Sequence, residues 1–392
     1  MNKERFREST SGRVAQYGQG EAAYWAFLPN PLPPVLTFDV ELLRLASDAA
    51  YALGELAAFG RTMANPHLLI GPFIRREAVL SSRIEGTQAD IADLYAYEAG
   101  QLPLPGLTPD LPAADVQEVL NYVRALEYGQ QRLATLPVSL RLMRELHERL
   151  MQGVRGAHAT PGEFRRSQNW IGGTRPGNAQ YVPPPPHQVE PCMAALENFL
   201  HDKGFSALIK AALAHVQFET IHPFLDGNGR TGRLMIALIL HHEGVLRQPL
   251  LYLSLYLKQH RAEYYRLLDT VRHQGDWEAW LDFILEGVEQ TAAGAVDTAH
   301  RLLALFAEDE KRIRDAARAA GSAMRAFVVL RRRPLATIDI IARESAMTFP
   351  TASKAIETLA NLGITRELTG RQRNRIFAYD RYLAILNEGV HS

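Results

Sequence analysis

The sequence predicts a mainly α protein with one central β-hairpin and a small C-terminal winged helix-turn-helix. Three observations carry this reading. Apolar residues recur at three- and four-residue spacing through most of 38–306. One stretch, with Trp170 and Ile171 on one side of a Gly/Asn/Pro turn and Tyr181 and Val182 on the other, has the pattern of paired strands. From 323 to 386 the order becomes helix, short helix, turn, helix and a strand pair around a polar tip.

In chain order, residues 1–35 carry Gly12, Gly18, Gly20, the aromatic patch 24–27 and a proline cluster, the composition of an extended arm. A helix follows from Phe38 through Leu42, Leu45, Ala49, Leu53, Leu56 and Phe59, with Asp39 as its N-cap. Pro66 and Pro72 bracket a break, after which an amphipathic helix runs over 73–84 and ends near Gly86. Four prolines mark 102–114 as a linker. Helices then span 116–133 and 138–150, the hairpin precedes Tyr181, and helices resume from His187. In the C-terminal part, Thr348 caps a helix with Pro350 early in it, and Arg371, Arg373 and Arg375 decorate the wing, where DNA phosphates would be met. These features divide the chain into an N-terminal helical region (1–110), a core (111–295), a helical linker (296–322) and the winged helix (323–392).

Composition narrows the function classes. With 43 Lys+Arg against 43 Asp+Glu over 392 residues, no global field favours nucleic acid or a membrane surface. The single Cys192 excludes an internal disulfide framework and a cysteine-based zinc site, which points to a reducing, cytoplasmic setting. The N-terminal segment lacks a signal-peptide core, and no apolar run approaches the ~20 residues of a membrane span.

The chemistry concentrates in His-Pro-Phe-Leu-Asp-Gly-Asn-Gly-Arg-Thr-Gly-Arg at 222–233. The run lies between two apolar helical patterns and opens the second. A glycine-rich helix start presents free N–H groups and the positive end of the helix dipole, so phosphate is the expected ligand. His215, Glu219 and His222 have ligand-type side chains and suggest a metal triad, but no further nitrogen or sulfur ligand stands at suitable spacing.

Residues 222–233 fill every fixed position of His-x-Phe-x-(Asp/Glu)-Gly-Asn-Gly-Arg-x-x-Arg, and the chain here resembles the Fic (filamentation induced by cAMP) family of AMP-transferring enzymes. A second segment, Ser81-Ser82-Arg83-Ile84-Glu85-Gly86, resembles the (Ser/Thr)-x-x-x-Glu-(Gly/Asn) inhibitory helix of members that carry this element N-terminal to the core. The resemblance covers about 30–290 and implies a Fic-type helical core with the hairpin as its flap. It also implies a protein adenylyltransferase that uses ATP and Mg²⁺ on a Ser, Thr or Tyr hydroxyl.

The residues suit these roles. His222, with a usual pKa near 6.5, is the expected general base. Asp226 offers the hard oxygen that Mg²⁺ prefers. Gly227, Asn228 and Gly229 form the nest, with the Asn228 amide as an extra donor, and Thr231 and Gly232 continue the amide array. Arg230 and Arg233, three apart on one helix face, would neutralise the β- and γ-phosphates.

Other roles come from the resemblance alone. Glu85, with Ser81 and Gly86 in the same motif, would pair with Arg233 and displace the γ-phosphate, so that ATP binds unproductively. In some relatives the same glutamate supports removal of AMP, which leaves the net direction open. The flap would hold a target segment by strand addition, and Tyr264 and Tyr265 match a segment near the adenine pocket. In the related Doc branch of kinases the second glycine of the core is lysine; here it is Gly229, which favours AMP transfer. Self-modification, a homodimer and DNA binding through the winged helix are further expectations, as is a DNA-binding regulator whose core only senses nucleotide.

Overall fold

Apolar faces spaced for helices dominate the sequence, and helices dominate the structure. The computed structural model describes residues 1–20, 23–63, 65–100, 113–154, 160–316 and 320–390. The N-terminal half contains α1 (Val40–Thr62), α2 (His67–Ile84), α3 (Ile91–Glu98), α4 (Ala113–Arg132) and α5 (Leu140–Leu150). The expected linker at 102–114 lies almost wholly outside the described residues. The Asp39 side chain accepts from the Leu42 amide, as its N-cap position requires.

Helices α6 (Pro186–Leu200), α7 (Ala207–Ile221), α8 (Asn228–His242), α9 (Ser254–Gln259), α10 (Arg261–Gln274) and α11 (Trp277–Asp315) complete the core. Every residue of α7 from Leu208 to Ile221 is buried, so it is a central helix enclosed on all sides. It packs against α6, α8, α10 and α11, while α8 also meets α2, α4 and α5. This enclosure fixes the α7–α8 connection, and with it the 222–233 motif, against six other helices. No helix among the described residues is long and apolar enough to cross a membrane.

The C-terminal part holds α12 (Ala320–Arg332), β3 (Leu335–Thr337), α13 (Ile338–Glu344), α14 (Phe349–Asn361), β4 (Arg366–Glu367), β5 (Ile376–Ala378) and α15 (Asp380–Asn387). The strands form one antiparallel sheet in the order β3-β5-β4. This part is tied to α2: Arg76 Nη2 donates to the Glu388 carbonyl at 2.6 Å, and Arg83 Nη1 to the Val390 carbonyl at 2.7 Å.

Four local expectations need correction. The N-terminal arm is an antiparallel hairpin, β1 (Gly12–Tyr17) with β2 (Tyr24–Pro29), in which the β-forming aromatics of the patch pack on Phe6 and Tyr181. Pro72 lies inside α2 rather than breaking it, because burial of this helix outweighs one missing backbone bond. The central hairpin is reduced to a single bridge between Ile171 and Tyr181, since Gly172 and Gly173 at positive φ and a 3₁₀ turn over Pro176–Asn178 prevent a longer ladder. Thr348 occupies the N-cap position of α14, but its hydroxyl pairs with the Thr351 hydroxyl instead of a backbone amide.

Candidate active site

His222 terminates α7 in the left-handed conformation, φ 51° and ψ 59°, an uncommon place for a non-glycine residue. Three contacts hold it there. Arg165 Nε donates to the His222 carbonyl at 2.9 Å, the Asn169 amide donates to the same oxygen at 3.3 Å and to the Phe224 carbonyl at 2.9 Å, and the His222 N–H donates to the Phe218 carbonyl. Burial, with help from the cations Arg272 and Arg165, pushes the His222 pKa down to about 3. The imidazole is therefore neutral at physiological pH, the state in which it can accept a proton.

The anion array is shorter than the sequence implied. Gly227, at φ 75°, precedes α8 and turns the chain so that the helix start faces outward. The Gly227 N–H donates to its neighbour's carboxylate, Asp226 Oδ1, at 2.6 Å, while the Asn228, Gly229 and Arg230 amides stand in the first helical turn, where intrahelical partners are lacking. The Thr231 amide already donates to the Gly227 carbonyl at 3.0 Å, so the array ends before Thr231 and Gly232. The Asn228 side chain is also not an outward donor. Its oxygen accepts from the Phe224 amide and its nitrogen donates to the Phe224 carbonyl, both at 2.9 Å, which clamps the loop shut from within. Gly232 instead permits close packing of α8 on α7, as a Cβ there would lie 2.8 Å from Glu219 Oε1 and 3.2 Å from the His215 ring.

The two arginines differ in role. Arg230 is buried and pairs with Glu118 Oε2 at 3.1 Å, although it still lines the cleft over the array. Arg233, 3% exposed, is gripped by the end of α2: its Nε donates to Ser81 Oγ at 2.8 Å, and its Nη2 to the Ser81 carbonyl at 3.0 Å and to Glu85 Oε1 at 2.6 Å. Gly86, at φ 102°, lets the chain leave α2 directly after Glu85. Burial pushes the Glu85 carboxyl up, but Arg233 outweighs it and the net shift is downward, which keeps the pair charged. The side chain of Glu85 touches Gly229, where a Cβ would collide with Oε1.

Two adjoining clefts meet at His222, Glu85 and Gly229. One, of about 340 Å³, is lined by Glu118, Asp226, Gly227, Asn228 and Arg230; the other, of about 610 Å³, by Trp170, Tyr181, Tyr264, Tyr265 and Arg272. Tyr265 is exposed at its mouth, and buried Tyr264 makes a 2.8 Å hydrogen bond with His215 Nε2 at its floor. For Mg²⁺, Asp226 provides a half-exposed carboxylate with only one oxygen committed to Gly227. No group of three or more His, Cys, Asp or Glu gathers among the described residues. The uncommitted Asp226 oxygen suits an ion that would take its other ligands from phosphate oxygens and water.

Sequence reasoning missed two positioning residues. Arg165, 2% exposed, donates to the carbonyls of His222, Ser167, Pro184 and Ile221, so a single cation caps the negative end of α7 and ties it to the chain leading into α6. His147 Nδ1 accepts from the Gly162 amide at 2.9 Å, which leaves its Nε2–H to donate to the Asp226 carbonyl at 3.0 Å, while its ring stacks on Phe224. The available signal for His147 was a polar residue on the apolar Met143-Leu146-Leu150 face of α5.

The 222–233 motif and the Ser81–Gly86 segment that grips Arg233 each fall within matched sequence. A Fic/DOC family N-terminal model matches residues 43–131, and a Fic/DOC family model matches residues 137–240. The chain belongs to the Fic/DOC family. The Fic segment is 32% identical over 215 residues to the protein adenylyltransferase Fic of Drosophila virilis, covering 53% of this chain and 40% of that protein. The same enzyme of Aedes aegypti is 32% identical over 216 residues, covering 53% and 39%. The chain thus spans about two fifths of the length of these curated relatives. A Fic family protein from Desulfovibrio desulfuricans shares the fold at TM-score 0.56 and 19% identity, over 89% of this chain and 98% of that one. Fic-1 from C. elegans does so at TM-score 0.51 and 19% identity, over 66% and 74%.

Proposed function

We propose that this Fic protein is a protein adenylyltransferase that moves AMP from ATP to a Ser, Thr or Tyr hydroxyl of a target protein and is restrained by Glu85. One observation carries the reading: Arg233, the residue suited to a terminal phosphate, stands beside a helix-start anion array and a neutral, half-buried histidine, and is held by Glu85 and Ser81.

In the proposed reaction the first-turn amides of α8 orient the α-phosphate. His222 takes the proton of the target hydroxyl as its oxygen bonds to the α-phosphorus. The bond from that phosphorus to the bridging oxygen breaks, and pyrophosphate leaves with the electron pair. Asp226 would hold Mg²⁺, which when bound supplies charge neutralisation at the phosphates. Arg233 neutralises the leaving group once Glu85 lets go. Trp170, Tyr265 and the Ile171–Tyr181 bridge flank the wider cleft, where adenosine and the target segment would enter. The lone Cys192 supports a cytoplasmic setting.

The decisive test follows the isotope. The Glu85→Gly chain incubated with Mg²⁺ and a cell lysate should transfer label from the α-position of ATP to protein, and none from the γ-position. Label from the γ-position alone would identify a kinase and overturn the reading.

A second reading, a DNA-binding output through a winged helix, is favoured by exposed Arg371 and Arg373 beside β5. Arg375 does not join them, since it pairs with Glu357 at 3.5 Å and lies over the Phe377 ring. Gel-shift titration of the full chain should show salt-dependent binding that weakens when Arg371 and Arg373 become Ala; salt-independent binding would count against it.

A further inference from the structure

Glu219 lies on the last turn of α7, is 6% exposed, and places Oε2 3.8 Å from His222 Nδ1. Its Oε1 and His222 Nδ1 are both buried polar atoms without a hydrogen-bond partner. An unpaired buried polar atom costs about 1–3 kcal/mol, and catalytic hydrogen bonds in unfilled sites are often long. The oxygen nearer the ring is Oε2, while Oε1 lies against Gly232, so the unpartnered Nδ1 gains an acceptor if the Glu219 carboxylate closes on it when the site fills. Gly232 supports this. Its φ is not positive and its amide lies beyond the anion array, so neither a turn nor phosphate binding requires glycine there. The requirement comes chiefly from Glu219 Oε1, which a Cβ would approach to 2.8 Å, with the His215 ring next at 3.2 Å.

We propose that Glu219 is a positioning residue for His222, that it fixes the Nδ1–H tautomer and faces the charge that develops on the ring, and that Gly232 makes room for it. This rests on the adenylyltransferase reading above. With Nδ1–H directed at Glu219, the Nε2 lone pair is free to accept the target hydroxyl proton as the new O–P bond forms and pyrophosphate leaves. The resulting imidazolium sits against the carboxylate until its proton passes to solvent, the division of labour known from Asp–His pairs. The charged and titratable groups around Glu219 are His215 and His222 from α7, Arg233 from α8, Tyr264 and Arg272 from α10, and Glu85 from the end of α2. Burial pushes the Glu219 carboxyl up to about 7 against the pull of Arg233 and Arg272.

The test uses the full chain in the Glu85→Gly background, with initial rates of label transfer from the α-position of ATP measured between pH 5.5 and 9. Glu219→Gln should lower kcat by roughly 10²-fold or more, within the range that general-base catalysis spans, with KM for ATP little changed. The parent rate should rise through about pH 7, and the Gln variant should lose that limb. Glu219→Asp should recover part of kcat. Unchanged kcat and pH profile in Glu219→Gln would overturn the proposal while leaving the activity intact. If the parent itself transfers no label, the activity reading fails instead, and ¹⁵N shifts of the His222 ring decide the proposal. The Nδ1–H form in the parent and a mixture in Glu219→Gln supports it; the same tautomer in both overturns it.

Discussion

Acidification should destabilise this protein in two stages, because histidines and glutamates shifted by burial pull in opposite directions. Burial lowers His147 and His273 to about 4 and His215 and His222 to about 3, while it raises Glu77 and Glu219 to about 7. For each histidine the unfolded state binds a proton below about 6.5 and the folded state does not, so stability is lost as pH falls, by about 1.4 kcal/mol per unit. For each glutamate the folded state binds the proton first. Its contribution is fully present below the unfolded value of about 4.5 and is lost as pH rises toward 7, again by about 1.4 kcal/mol per unit. Between pH 6.5 and 4.5 four losses oppose two gains, leaving a net loss of about 2.8 kcal/mol per unit. Below 4.5 the glutamate gain stops and the loss from these groups steepens to about 5.6 kcal/mol per unit until His147 and His273 begin to protonate in the fold. Urea denaturation at half-unit intervals from pH 7 to 4, followed by tryptophan fluorescence, measures this directly, as Trp280 stacks on His215. A flat profile to pH 4, or a loss that eases below 4.5, would refute the assignment of neutral buried histidines.

Three substitutions extend the test. Ser81→Ala leaves the Arg233 Nε–H buried without its 2.8 Å partner, so stability should fall by about 1–3 kcal/mol while transfer rises, both read on one preparation by urea denaturation and label incorporation. Unchanged values would show that Ser81 does not hold Arg233. Gly232→Ala should cost about 1–3 kcal/mol through overpacking against Glu219 and His215; a melting curve identical to the parent would place those groups elsewhere. Glu85→Gly should tighten ATP binding roughly tenfold or more and leave ADP nearly unaffected, since a charge-assisted bond from Arg233 is worth about 1.5–3 kcal/mol. Equal gains for both nucleotides in calorimetry would rule out competition for the γ-phosphate.

Much of this was legible in the sequence because it is local. The Asp39 cap, the helical apolar spacing of α1 and the glycine-rich start of α8 depend on neighbours a few residues away. The approach of Ser81 and Glu85 to Arg233 spans about 150 residues and was available only through resemblance. Burial decided the rest. Pro72 stays helical because α2 is enclosed, and Asn228 turns inward because the Phe224 backbone offers it two partners. Arg165 carries no local pattern, since all its work is on carbonyls brought together by the fold. Gly232 looked like part of a phosphate array because the tight packing that requires it comes from another helix.

The contest for Arg233 is tested most directly by the initial rate of α-label transfer from Mg²⁺-ATP in three full-length forms. Glu85→Gly should exceed the parent by at least an order of magnitude, roughly the worth of one charge-assisted bond, and adding His222→Ala to Glu85→Gly should abolish the signal. Equal rates in the parent and Glu85→Gly, or a signal that survives loss of His222, would contradict it.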